Sequence, residues 1–188
     1  ELTLPADATA HERPGLGLAA AVASGPAPFD EAPRIASGFD SLSVCFSKGL
    51  GAPVGSVLLG GREFVSRALR WRKAAGGGMR QAGVLAAAAL HALDHHVERL
   101  AEDHANAARF ADALAGLPGL AVEPARTNMV FAVPAAGLGA RIVERLRDRG
   151  VLCTGDARLR FVLHLDVSRE DAEEAARLVR ETVKEATG

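Results

Sequence analysis

The sequence predicts a mixed fold, part α/β and part α+β, with two patterned regions after a poorly patterned start. Three observations predict it. The alternating and then apolar stretch "DSLSVCFS" is followed, after a short glycine-rich loop, by a second strand-like run, "VGSVLLG". A long alanine-rich tract of helical composition comes next. From residue 117 onward, patterns of period two and period 3.6 alternate in the order β-β-α-β-β-α, which makes a small α+β domain.

Residues 1–38 are rich in proline, alanine and glycine with little periodicity, so loop is expected there, with room for a short helix in "GLGLAAAVASG". Strands at 40–47 and 54–60 are joined by a loop too short for a crossover, which makes them antiparallel. "REFVSRALRWRK" (62–73) puts Phe64, Val65, Ala68 and Leu69 on one helical face, and "GGG" (76–78) breaks the helix. A helix from about Gln81 to Leu114 follows, interrupted near residues 94–100. Residues 39–116 are taken as one domain and 117–188 as another.

The second domain opens with strands at 119–123 and 128–133. "GARIVERLRDRG" (139–150) is amphipathic, with Leu138, Ile142, Val143 and Leu146 inward and Gly150 as its stop. Strands at 151–154 and 159–165 come next. The last helix starts at Ser168, with Asp171 three residues on in a capping-box arrangement, and it buries Ala172, Ala175, Ala176, Val179 and Val183.

The chain has 188 residues, 48% apolar and 24% charged, with net charge −1, which suits one sizeable core and points to neither nucleic acid nor an anionic membrane. Cys45 and Cys153 stand far apart and read as small core residues in a reducing compartment. No apolar run approaches the roughly 20 residues that span a bilayer. "ELTLPADATAHERPG" lacks the order of a signal peptide, so a soluble cytoplasmic protein is expected.

In "SVCFSKGLGAPVGS" one lysine, Lys48, sits between the end of a buried strand and the glycines Gly49, Gly51 and Gly55. Such a lysine is either a solvated loop charge or an amine held at an apolar edge, where it can attack a carbonyl and hold it as a Schiff base. Strand alternation puts Arg160, Val162 and His164 on one face and Phe161, Leu163 and Leu165 on the other. Arg160 can then fork onto a carboxylate ligand, or pair with a neighbouring acid. Asp166 is not that acid, since six residues of strand span about 20 Å.

"RALRWRKAAGGGMRQ" collects Arg67, Arg70, Arg72, Lys73 and Arg80, a solvated helix face without the interleaved aromatics of a nucleic-acid patch. His91 and His95 are one helical turn apart but have no third ligand at a recognisable spacing, so an exposed face and no metal is expected.

"DSLSVCFSKGLGAPVGSVLLGGREFVSRALRWRKAAGGGMRQAGVLAAAALHAL…LAEDHANA" resembles the threonine aldolase family of pyridoxal-phosphate enzymes, and "ARTNMVF" and "LRFVLHLDVSREDAEEA" look like the carboxyl-terminal segments of that family. The resemblance spans about residues 39–186. It implies the carboxyl-terminal part of a fold-type-I, aminotransferase-like enzyme: the end of the large domain with the cofactor lysine, plus a small α+β domain. The implied activity is cleavage of threonine or allo-threonine to glycine and acetaldehyde, placing the protein in threonine catabolism and glycine biosynthesis. The implied cofactor is pyridoxal 5′-phosphate and the implied assembly a homodimer or homotetramer. By the same resemblance Lys48 is the Schiff-base lysine, with Ser47 beside it at the cofactor. Arg160 binds the substrate carboxylate, Lys73 and Arg80 approach the cofactor phosphate near a subunit interface, and no metal enters the catalytic centre.

The chain departs from that pattern upstream. Only 47 residues precede Lys48, too few for the large sheet of the family, so residues 1–38 read as a degenerate remnant of it and the amino-terminal half as missing. The family's "HxDGAR"-like strand end falls on "HERPGL", with His11 in register but Arg13 in place of the aspartate and Leu16 in place of the arginine. An arginine there disfavours a protonated pyridine nitrogen. The expectation is that this polypeptide alone binds cofactor weakly and has little or no activity. The competing expectations are a non-catalytic remnant that oligomerises through exposed apolar surface, and another β-eliminating lyase of the same fold type.

Overall fold

Val44 and Phe46 lie two residues apart, so an extended chain turns both to the same side, and both are buried. Val44 lies in strand β1 (Ser41–Cys45) and Phe46 just past its end; β1 pairs antiparallel with β2 (Ser56–Gly60), Ser41 facing Gly60 and Cys45 facing Ser56. The computed structural model describes residues 36–188; the short helix expected in 15–25 and the positions His11, Arg13 and Leu16 lie outside them. Beyond β2 the chain turns at once into helix α1 (Arg62–Ala74), with Gly60 so close to Phe64 that a Cβ would come within 2.8 Å of its ring. Helix α1 ends as expected at the glycines, where the Gly76 and Gly77 N–H groups donate to Lys73 and Arg72 and Gly76 takes φ +87°.

The alanine-rich tract forms two helices, α2 (Gly83–His95) and α3 (Leu100–Leu114), so the interruption falls inside the expected interval. By contacts the chain divides into two units at Arg99/Leu100. Helix α3, grouped by sequence with the preceding elements, belongs to the second unit. It contributes Ala107, Phe110, Ala111 and Leu114 to a core shared with residues as far on as Ala186.

That second unit has a three-stranded antiparallel sheet in the order β3 (Leu120–Val122), β4 (Met129–Pro134), β5 (Leu159–Val162). Val130, Ala132, Leu159 and Phe161 point from it into a core closed by Ile142 and Leu146 of α4 (Gly139–Asp148) and by Val179 and Val183 of α5 (Arg169–Thr187). Phe110 and Phe161 meet with ring centroids 5.0 Å apart. The predicted capping box forms: Ser168 Oγ accepts from the Asp171 N–H at 3.0 Å, and the Asp171 carboxylate accepts from the Ser168 N–H at 3.1 Å. Four of the five α5 residues expected inside are buried, and Ala175 is half-buried.

Two strand expectations need correction. Residues 151–154 are not a strand. Gly150 and Gly155 take φ of +83° and +86° on either side, and only Thr154 reaches β5, exchanging two backbone hydrogen bonds with Arg160. β5 stops at Val162 rather than 165, because Leu163 leaves the ladder. Its N–H donates to the Asn128 carbonyl, and its own carbonyl accepts from Asn128 Nδ2 at 2.8 Å. The second unit, with α3 set aside, is therefore β-β-α-β-α. No helix among the described residues is long and apolar enough to cross a membrane.

Candidate active site

The turn that carries Lys48 is built from alternating anchors and exposed residues. Phe46 is buried, Ser47 and Lys48 are exposed, and Leu50 and Ala52 turn back in, Leu50 to 2% exposure. Local backbone bonds close it. The Phe46 N–H donates to Gly55 (3.0 Å), the Ala52 N–H to Phe46 (3.0 Å) and the Gly51 N–H to the Lys48 carbonyl (2.8 Å). Gly51 and Gly55 supply the positive φ values, +69° and +123°, that the reversal requires.

The Lys48 amine makes no hydrogen bond or ion pair among the described residues. It is exposed, so the apolar edge that sequence reasoning invoked is not supplied by the described residues of the first unit. Cys45 Sγ lies 3.2 Å from Ser47 Oγ, and its thiol is held below its ordinary range by that hydrogen bond first, by the Ser47 backbone next, and by the charge of Lys48 least. A fourth tie to the turn is one that sequence reasoning missed: His96 Nδ1 lies 2.6 Å from the Leu50 carbonyl oxygen. Only the interruption near residues 94–100 hinted at it.

Lys73 and Arg80 share an open pocket of about 830 Å³ with Arg70, Arg72 and the glycines Gly76, Gly77 and Gly78. The glycines make it possible. A Cβ on Gly78 would come within 2.8 Å of Lys73 Nζ, and one on Gly77 within 2.7 Å of Arg72 Cγ, so both cationic side chains fold back over bare backbone. Lys48 does not line this pocket.

Arg160 belongs to the second unit, on the solvent face of β5, opposite Phe131 of β4. Its guanidinium has no hydrogen bond or ion pair among the described residues, so the surface ion pair weighed from sequence does not form. Two acids of this unit lie against other residues. Glu123 accepts two 2.7 Å bonds from Arg158, which hold its carboxyl below the usual range, and Asp166 lies 3.7 Å from His164 Nδ1. Arg158 also stacks on Phe131, 3.8 Å from the ring centroid.

The structure thus brings Ser47 together with Lys48, and Lys73 together with Arg80, with Arg160 in the other unit. The rings of His91 and His95 lie 4.5 Å apart, and among the described residues no group of three or more His, Cys, Asp or Glu side chains is arranged to hold a metal. The two groups of residues suit, each by itself, an aldehyde and a phosphate. A free, exposed amine can capture the carbonyl, and a glycine loop flanked by cations can take the anion.

Residues 19–137 match the family model described as beta-eliminating lyase. The low specificity L-threonine aldolase of Escherichia coli strain K12 is 49% identical over 137 residues, covering 73% of this chain and 41% of the relative. Low-specificity L-threonine aldolase 1 of Arabidopsis thaliana is 39% identical over 145 residues, covering 73% and 40%. The chain therefore spans about two fifths of the length of these curated relatives. Among solved structures, the aminotransferase TlmJ from Streptoalloteichus hindustanus superposes with a TM-score of 0.66 at 21% identity, over 79% of this chain and 53% of that one.

Proposed function

This chain belongs to the beta-eliminating lyase family and has an aminotransferase-like fold, and from that premise we propose that the protein carrying it is a threonine aldolase. It would cleave L-threonine or L-allo-threonine to glycine and acetaldehyde, with pyridoxal 5′-phosphate as cofactor. The observation that carries the reading is Lys48: an exposed amine, unpaired among the described residues, on a turn anchored by buried Phe46 and Leu50. Held at Lys48, pyridoxal phosphate would supply an electron sink for cleavage of the Cα–Cβ bond.

The chain's own residues do the rest. Lys48 holds the aldehyde carbon, and Ser47 stands beside it. Arg160 offers a planar fork to the amino-acid carboxylate and so fixes which end of the substrate faces the reaction. Lys73 and Arg80 take the phosphate. Because they line a pocket that Lys48 does not, they support a homo-oligomer in which the cations of one copy serve the lysine of another. The exposure of Trp71 (76%) and Val84 (74%) favours the same assembly. Two free cysteines and the absence of a membrane-crossing helix among the described residues support a cytoplasmic location. Glycine formation from threonine is the metabolic role that follows.

The test is to add pyridoxal phosphate to the purified protein, reduce with borohydride, and find the modified residue by mass spectrometry, then to measure acetaldehyde release from threonine and allo-threonine. Modification at Lys48 that Lys48→Ala abolishes, together with acetaldehyde release, is the expected result. A release of pyruvate from cysteine or tryptophan in place of acetaldehyde would assign another lyase activity instead.

A further inference from the structure

We propose that His96 is a positioning residue for Lys48, an inference that rests on Lys48 being the reacting amine. Helix α2 delivers the imidazole to the lysine turn. The His96 N–H donates to Ala92 at 2.9 Å, ending the helix, and Ala89 and Ala92 bury the helix face behind it. From there Nδ1 sits 2.6 Å from the Leu50 carbonyl oxygen. A carbonyl only accepts, so Nδ1 carries the proton and donates. The ring of His91 packs edge-on against that of His96, centroids 5.3 Å apart, and restricts its rotation.

The other hydrogen bonds of the turn, Phe46 with Gly55 and Ala52, and Lys48 with Gly51, are all local. His96 reaches across 46 residues of sequence. A two-stranded ribbon is marginal by itself, so its loop keeps one conformation only if something outside the ribbon holds it. Leu50, two residues past Lys48, is held from both sides: its side chain is buried and its carbonyl is clamped. A reacting amine displaced by about 1 Å loses most of its advantage, and this clamp fixes the backbone from which Lys48 projects.

Asparagine and histidine both place a nitrogen two bonds from Cβ, so Asn Nδ2 can take over the donation, while leucine keeps the bulk without a donor. Wild type, His96→Leu and His96→Asn are compared by amide hydrogen exchange of Gly51 and Ala52, and by the rate at which pyridoxal phosphate with borohydride modifies Lys48. We expect His96→Leu to exchange these amides roughly five- to ten-fold faster and to be modified several-fold more slowly at an unchanged thermal midpoint, with His96→Asn restoring both. Unchanged exchange in His96→Leu overturns the clamp, as does an asparagine variant that behaves like the leucine one. Faster exchange with undiminished modification overturns the positioning role. If wild-type Lys48 is not modified, the reading of Lys48 fails, and the positioning role falls with it, while the exchange measurement still judges the clamp.

Discussion

Arg158 and Arg160 stand on either side of buried Leu159, and only Arg158 has an acid. It forks onto Glu123 with two 2.7 Å bonds and covers the Phe131 ring, while Arg160, opposite Phe131 in the ladder, keeps its guanidinium free among the described residues.

On the proposed carboxylate role, replacing Arg160 should cost binding rather than stability. Arg160→Lys keeps the charge but loses the planar fork, and should raise KM for threonine about ten-fold or more with Tm unchanged; Arg160→Ala should raise it further. Steady-state kinetics and thermal unfolding on the same samples check this. An equal fall in Tm would make Arg160 structural.

Gly155 governs the backbone that presents Arg160. Its φ is +86°, and a Cβ there would overlap the Arg158 carbonyl oxygen, whereas Gly137, at φ +80°, faces open space. Gly137→Ala should cost about 1 kcal/mol from its dihedral alone, and Gly155→Ala measurably more, because the Thr154–Arg160 bridge must shift as well. Denaturant unfolding of the two variants gives the comparison. Equal costs would mean that the overlap relaxes freely.

His104 makes stability depend on mild acid. It is half-buried, and burial holds its imidazole below the ordinary value of 6.5, with Asp103 pulling the other way. The unfolded chain then binds the proton more readily than the folded one. The contribution is complete above about pH 6.5 and is lost as pH falls from there through the folded value. Tm should decline between pH 7.5 and 5.5, and His104→Gln should flatten that decline. An identical pH profile in the variant would refute the assignment.

The amino-terminal cap of α5 is a separable contribution. Ser168→Ala should cost about 1 kcal/mol by chemical denaturation, since it removes the acceptor for the Asp171 N–H. The hydrogen bonds of Ser168 hold the Asp171 carboxyl below its ordinary range, so this contribution is present above that range and lost as pH falls through the folded value. The Ser168→Ala penalty should therefore shrink in strong acid, and a penalty constant down to pH 2 would exclude the carboxylate's part in it.

Features set by neighbouring residues were legible in the sequence: the hairpin around Lys48, the glycine stop after α1 and the Ser168 capping box. Features set by distant partners were not. An alanine stripe looks the same whichever partner it packs against, so nothing local assigned Ala107 and Ala111 to the second core. Val151 to Cys153 have strand composition, but the glycines on either side turn the chain away. Asn128 ends β5 from 35 residues upstream. The resemblance pointed to Lys48 and Arg160, but the exposure of one and the unpaired state of the other among the described residues depend on neighbours no spacing reveals. His96 reaches Leu50 across 46 residues, and only the helix interruption near residues 94–100 hinted at it.

A protease would meet two bodies of unequal resistance. Helix α1 buries none of its residues, and the chain from Trp71 to Gln81 lies wholly exposed, with Arg72, Lys73 and Arg80 around an extended glycine break. Every helix of the second unit, by contrast, is anchored in one continuous core. Brief trypsin digestion should nick the chain first beside Gly76–Gly78 and leave a resistant piece beginning near Leu100. The segment whose cations are proposed to grip a phosphate is thus also the one most readily cut, and a tightly held anion would register as protection from the enzyme.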